Sequence, residues 1–85
     1  MDVCAGGTIS TSTSSITFVN HHPVACTLSG CTLPGWPTTN PVVPAQANGQ
    51  AGTLTVGLRP PLPTGDYPYS ASCCSKETNP TIKVQ

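Results

Sequence analysis

The sequence predicts a small all-β domain, a Greek-key β-sandwich or barrel of about seven short strands that disulfides hold together. Short β-prone segments alternate with clusters of Gly, Pro, Asn and Ser at a spacing of roughly 8–12 residues. No segment keeps the apolar period of a helix over two turns. Five cysteines occur within 85 residues, and a chain this short buries a modest core that covalent cross-links support. We expect residues 1–7 to be a flexible lead-in and residues 8–85 to form the single domain.

The first two β-prone segments differ in what they bury. Residues 8–13 are rich in Thr and Ser and contain one large apolar residue, which predicts an edge strand or an extended arm. In residues 16–20, Ile16 and Phe18 lie two positions apart and therefore share one face of a strand. We take this face to be the core face, which makes residues 16–20 the clearest strand of the chain.

The middle of the chain combines two shorter strands with a long loop. Residues 24–28 predict a strand whose shared face carries three apolar side chains: Val24, Cys26 and Leu28. Residues 32–40 hold two prolines, a glycine and the single tryptophan, so they predict a loop that Trp36 anchors to the core. Residues 41–44 predict a short extended piece.

Three further strands follow towards the end of the chain. Asn48–Gly49 is a strong tight-turn signal. After it, residues 52–58 alternate, with three apolar side chains turned inward: Leu54, Val56 and Leu58. A turn at Gly65 starts a strand that leads to Cys73 and Cys74, and residues 80–85 form the last strand. Because adjacent strand residues point to opposite faces, we expect these two cysteines to serve different partners.

Charge is too sparse to indicate a nucleic-acid or membrane function. Three basic and three acidic residues leave a net charge of zero, whereas nucleic-acid binding needs a positively charged surface. No apolar run approaches the length that crosses a membrane. We therefore expect no nucleic-acid partner and no membrane span.

Low charge and abundant cysteine are typical of a periplasmic or extracellular domain. The first four residues contain neither a basic n-region nor an apolar h-region. We therefore expect that a signal peptide is absent from this sequence and that Met1 stands before a mature domain. The Thr-rich residues 8–13 would be a poorly charged edge at which the chain could associate with itself or with an unknown protein partner.

Two segments resemble the cupredoxin family. Residues 16–20 (ITFVN), followed by Cys26, are similar to the cupredoxin strand that leads to a copper-binding His. Residues 65–69 (GDYPY), followed by Cys73, are similar to the strand that leads to the copper-binding Cys. The resemblance implies a cupredoxin-like fold of the kind found in diverged domains of secreted bacterial proteins.

The same comparison implies that the copper ligands are not retained. Cys26 stands where the family has its first His, and neither a His nor a Met follows Cys73. Blue-copper chemistry needs two His and one Cys around the metal. The resemblance therefore implies a fold without a blue-copper site and without a cofactor.

Disulfides are the first interpretation of the cysteines. In a cupredoxin-like fold, Cys26 and Cys73 would approach each other at the former metal end. We expect disulfides that join the segment containing Cys26 and Cys31 to the segment containing Cys73 and Cys74. Cys26–Cys31 and Cys73–Cys74 pairings remain open. Cys4, in the predicted lead-in, is the candidate for the odd cysteine.

A metal site is the alternative interpretation. A copper or zinc site would use thiolate and imidazole ligands, and its candidates are His21, His22, Cys26 and Cys73. An enzyme is not expected, because no Gly-x-Ser-x-Gly motif and no Ser–His–Asp context is present. The sequence therefore favours a non-enzymatic exported structural or interaction module.

Overall fold

A computed structural model describes residues 1–75 and 78–85, and within these ranges the chain is all-β, without a helix. The predicted all-β class is therefore confirmed. The strands of the described part of the chain are β1 (Gly6–Ile9), β2 (Ser15–Asn20), β3 (Cys26–Ser29), β4 (Val42–Val43), β5 (Gly52–Gly57), β6 (Gly65–Pro68), β7 (Ser70–Ala71) and β8 (Thr81–Val84). Within the described ranges there is no helix that could cross a membrane.

The strands form three small sheets around one core. Strand β8 lies between β1, to which it is parallel, and β6, to which it is antiparallel. Strands β2 and β5 form an antiparallel pair, and β3 lies between β4 and β7. Strands β6 and β7 are parts of one extended segment that is interrupted only at Tyr69. This segment pairs first with β8 and then with β3, so it connects two of the sheets.

All three sheets contribute side chains to the core. The buried apolar residues are Val3, Ile16, Phe18, Cys26, Leu28, Leu33, Val43, Val56, Leu62, Tyr69, Ile82 and Val84. Phe18 is fully buried, and its ring meets those of Trp36 and Tyr69 edge-on at centroid distances of 5.9 and 5.8 Å. The predicted inward orientation of Ile16 and Phe18 is confirmed, and Trp36 anchors its loop as expected.

The first seven residues are part of the fold, contrary to the predicted flexible lead-in. Val3 is fully buried, and its N–H donates to the carbonyl oxygen of Val19 at 3.1 Å. The terminal amine of Met1 donates to the carbonyl oxygen of Thr17 at 2.7 Å. The segment pairs with β2 before it continues as β1 beside β8. The lead-in prediction was wrong because burying Val3 and extending a sheet stabilise a segment whose composition alone indicates flexibility.

The predicted edge strand at residues 8–13 is only partly a strand. Thr8 and Ile9 belong to β1, which is an edge of its sheet. The chain then turns, and the N–H of Thr13 donates to the carbonyl oxygen of Ser10 at 3.2 Å. The Ser10 N–H donates to the Thr13 hydroxyl at 3.1 Å. These local hydrogen bonds replace strand pairing, as they commonly do for Ser and Thr.

The Asn48–Gly49 turn is confirmed in detail. Both residues have positive φ angles, 53° and 75°, which is the requirement of a type I′ hairpin turn. The backbones of Ala47 and Gln50 exchange hydrogen bonds of 3.0 and 2.9 Å across the turn. The turn chemistry visible in the sequence was therefore sufficient to place this hairpin.

Candidate functional site

Two disulfides meet at one end of the molecule. Cys4 is bonded to Cys74, and Cys26 is bonded to Cys73, with Cα–Cα distances of 5.6 and 4.8 Å. His22 lies beside them, its Nε2 atom 3.4 Å from Sγ of Cys4. We call this group the cysteine–histidine end; its members are Cys4, His22, Cys26, Cys73 and Cys74. It joins the N-terminal segment, strand β3 and the turn after β7.

A turn at Asp2 carries Cys4 into this end. The Asp2 carboxylate accepts a hydrogen bond of 2.8 Å from the Cys4 N–H. The Asp2 carbonyl oxygen also accepts from the N–H groups of Ala5 and Gly6, at 3.2 and 3.3 Å. An Asp side chain that binds the backbone two residues later is a common way to form a turn. The turn places Cys4 between the part of the chain that pairs with β2 and the part that pairs with β8.

The pairing of β3 with β7 positions the adjacent cysteines. The Thr27 N–H donates to the Ser72 hydroxyl at 2.8 Å, and the Ser72 N–H donates to the Thr27 carbonyl oxygen at 3.0 Å. The chain then turns, and the Cys74 N–H donates to the Ala71 carbonyl oxygen at 3.1 Å. Cys73 therefore lies against Cys26 of β3, and Cys74 lies against Cys4.

Asn20 holds the segment that carries His22. It is the buried polar residue at the end of β2, with a fully covered side chain. Its amide nitrogen donates to the carbonyl oxygens of Val24 and Pro44 at 2.9 and 3.1 Å, and to that of Val43 at 3.4 Å. Its amide oxygen accepts from the His22 N–H at 2.9 Å. Asn20 therefore determines where the segment between β2 and β3 runs.

The same contacts explain where β3 begins. Val24 was expected to share a buried strand face with Cys26 and Leu28, but it lies outside β3 and is 56% exposed. Its carbonyl oxygen is bound by Asn20 rather than by a neighbouring strand. The predicted strand at residues 24–28 is therefore shorter at its start, whereas Cys26 and Leu28 are fully buried as expected.

The assignment of the odd cysteine is corrected. Cys4 is bonded to Cys74, and the free cysteine is Cys31, which was expected to be one of the bridged residues. Burial raises the pKa of the Cys31 thiol, although a hydrogen bond with the backbone of Leu33 acts in the opposite direction. The prediction was wrong because it assumed that the first residues do not pack, whereas the Asp2 turn brings Cys4 to the adjacent cysteines.

Of the four predicted metal ligands, the structure brings together only His22 and Cys73, and Cys4 and Cys74 lie beside them. Sγ of Cys4, Cys73 and Cys74 and a ring nitrogen of His22 all lie within 4.8 Å of one another. His21 is exposed and is not in this cluster, and neither is Cys26, although Cys26 is bonded to Cys73. While the disulfides are intact, these sulfurs are not thiolates, which are the form that binds metals.

Tyr69 supports the same region from the core side. Its hydroxyl donates to the carbonyl oxygen of Val3 at 2.9 Å, one residue before Cys4. Burial is the main cause that raises the pKa of Tyr69 to about 12. The phenol therefore stays neutral and keeps its hydrogen bond to the N-terminal segment over the physiological pH range. Within the described ranges, every buried side-chain nitrogen and oxygen atom has a hydrogen-bond partner.

Sequence reasoning missed three parts of this arrangement: the Asp2 turn, the Asn20 hydrogen bonds and the contact of His22 with Cys4. Asp2 followed by Gly6 and Gly7 is a turn signal that could have placed Cys4. The contacts of His22 with Cys4 and of Asn20 with Pro44 join residues far apart in the sequence, so no local pattern indicates them.

Comparison with known proteins found no matching family model, no similar curated protein and no similar solved structure.

Proposed function

We propose that this chain is a non-enzymatic structural or interaction module of an exported protein, with a cupredoxin-like Greek-key fold and no blue-copper site. The observation that carries the proposal is the double disulfide at the cysteine–histidine end. It links the N-terminal segment, β3 and the turn after β7, which are distant in sequence. Covalent links of this kind stabilise small domains whose cores are modest.

The chemistry of the cysteines supports a structural role. Four of the five cysteines form two disulfides. A sulfur in a disulfide is neither a nucleophile nor a metal-binding thiolate. Cys26, which is bonded to Cys73, is therefore not available as a nucleophile in this state. Cys31 has a raised pKa, so little of its thiol is ionised at neutral pH.

The disulfides also support a periplasmic or extracellular location. Disulfides persist in oxidising compartments and are rare in the cytosol. A partner would meet a nearly uncharged surface, and strand β1 offers it a sheet edge at Thr8 and Ile9. Pairing at that edge, with a partner or with a second copy, is part of the proposal.

A thiol count tests the proposal. The oxidised protein, purified without reductant and then denatured, should react with one equivalent of a thiol reagent, at Cys31. Peptide mapping of the same sample should recover the Cys4–Cys74 and Cys26–Cys73 pairs, although cleavage between Cys73 and Cys74 is needed to separate them. Metal analysis should find no stoichiometric copper or zinc.

Three or more free thiols with bound copper or zinc would overturn the structural interpretation. Light scattering on the same sample tests the edge-pairing part separately. A mass that stays at that of one chain at high concentration would exclude self-association through β1.

A further inference from the structure

We propose that reduction converts the cysteine–histidine end into a binding site for a thiophilic d¹⁰ cation, Zn²⁺ or Cu⁺, with Cys4, Cys73, Cys74 and His22 as ligands. This inference concerns the reduced protein, whereas the proposed structural role concerns the oxidised one. The two are therefore tested on different samples and can fail separately.

The four ligand atoms are already close to the distances that a metal requires. A tetrahedral zinc site has Zn–S bonds of about 2.3 Å and Zn–N bonds of about 2.0 Å, which places neighbouring ligand atoms roughly 3.5–3.8 Å apart. Nε2 of His22 lies 3.4 Å from Sγ of Cys4, and Sγ of Cys73 lies 3.9 Å from Sγ of Cys74. No pair within the group of four is further apart than 4.8 Å.

The main change needed is the separation of Cys4 from Cys74. In the oxidised protein the two sulfurs are bonded, and in the metal site they would be about 3.8 Å apart. Rotation of partly buried side chains can supply this movement while the backbone turns stay in place. The hydrogen bonds of the Asp2 turn and those between Thr27 and Ser72 do not involve the sulfur atoms, so reduction leaves their donors and acceptors unchanged.

The histidine is positioned independently of the disulfides. The His22 N–H donates to the buried Asn20 side chain, which itself binds three backbone carbonyl oxygens. None of these hydrogen bonds involves a sulfur atom. His22 would therefore be held near the released thiols, whereas its neighbour His21 is exposed and lies outside the group.

The donor set suits the proposed class of cation. Three cysteines and one histidine form one of the common structural zinc sites, and soft thiolates also favour Cu⁺. Sequence spacing gives no hint of this set, because Cys4 and Cys74 are 70 residues apart.

The reaction balances with an external dithiol as reductant. Each disulfide takes up two electrons and two protons from one dithiol, which becomes a disulfide itself. Both bridges must be reduced, because Cys73 is bonded to Cys26. Binding of the cation then displaces three thiol protons, which pass to solvent, and the imidazole binds in its neutral form.

The test is a Zn²⁺ titration of protein that has been reduced with a dithiol and freed from it without oxygen. Competition with a chromophoric chelator should give one zinc per chain. His22→Ala should weaken binding by about tenfold or more, because it removes one of four ligands. His21→Ala and Cys31→Ser, which lie outside the group, should leave the affinity unchanged. Co²⁺ in place of Zn²⁺ should give the absorption of a tetrahedral site with thiolate ligands.

Several results would overturn the inference. Equal losses for His22→Ala and His21→Ala would mean that zinc binds to thiols of an unstructured chain. The same affinity in Cys4→Ser and in Cys31→Ser would remove Cys4 from the site. Binding by the oxidised protein with the same affinity would exclude control by reduction. If the reduced chain unfolds, recovery of its circular dichroism on adding Zn²⁺ supports the site, and binding without such recovery contradicts it.

Discussion

At the scale of single residues, the side chain of Asn20 fixes the position of several backbone segments. It is fully buried, and both ends of its amide are in hydrogen bonds. A buried amide can satisfy carbonyl oxygens and an N–H group at the same time, which neither an ionised carboxylate nor an apolar side chain can do. Asn20 thereby connects β2 with the segments before β3 and after β4.

Replacing Asn20 by Ala should lower the free energy of unfolding by about 2–4 kcal/mol, because buried carbonyl oxygens and the His22 N–H lose their partner. Urea denaturation followed by circular dichroism measures this loss. Asn40→Ala is the matched control, since Asn40 is exposed, and its effect should stay within about 0.5 kcal/mol. Equal effects of the two substitutions would contradict the role assigned to Asn20.

At the scale of elements, the N-terminal segment is unusual because it pairs with two different strands in succession. It lies beside β2 at Val19 and then, as β1, beside β8. The change of partner occurs at Gly6, where φ is 67°. A side chain rarely adopts this angle, and a Cβ atom at this position would collide with the backbone of Thr81.

Gly6→Ala should therefore lower the free energy of unfolding by at least about 2 kcal/mol, from the left-handed backbone and the collision together. Thermal and urea unfolding give the value. Gly57→Ala, at the end of β5, is the control because no heavy atom lies within 4 Å of the added Cβ. The control should be neutral or slightly stabilised; a Gly6 variant as stable as the control would mean that the segment does not cross between β2 and β8.

At the scale of the whole molecule, stability depends on a small core and two covalent links. The domain has almost no charge with which to form ion pairs, and its strands contain two to six residues. The disulfides span 70 and 47 residues. In the loop-entropy model, each disulfide raises the free energy of the unfolded state by about 4 kcal/mol. This is a large part of the free energy of unfolding of a domain, which is usually about 5–15 kcal/mol.

Removal of either bridge should therefore destabilise the protein by several kcal/mol. We expect about 3–5 kcal/mol for Cys4→Ser with Cys74→Ser, and at least as much for Cys26→Ala with Cys73→Ala, because Cys26 is also fully buried. The measurement is the urea midpoint of each double variant. Cys31→Ser is the control, and its free energy of unfolding should fall by less than about 1 kcal/mol. A Cys4/Cys74 variant with the parental midpoint would show that the N-terminal link contributes nothing.

The sequence by itself determined the fold class, most strand positions and the Asn48–Gly49 turn. These features depend on alternation within a strand or on the φ preferences of neighbouring residues, and both are local. The inward orientation of Ile16, Phe18 and Val56 follows from the same alternation.

Only the tertiary structure decided which cysteines pair, that Cys31 is free and that His22 rather than His21 meets the disulfides. These facts depend on contacts between residues far apart in the chain. The sequence also indicates flexibility for residues 1–7, whereas burial of Val3 and pairing with β2 hold them in place. The physical reason is that local preferences are weak compared with burial and cross-linking, which only the folded chain brings about.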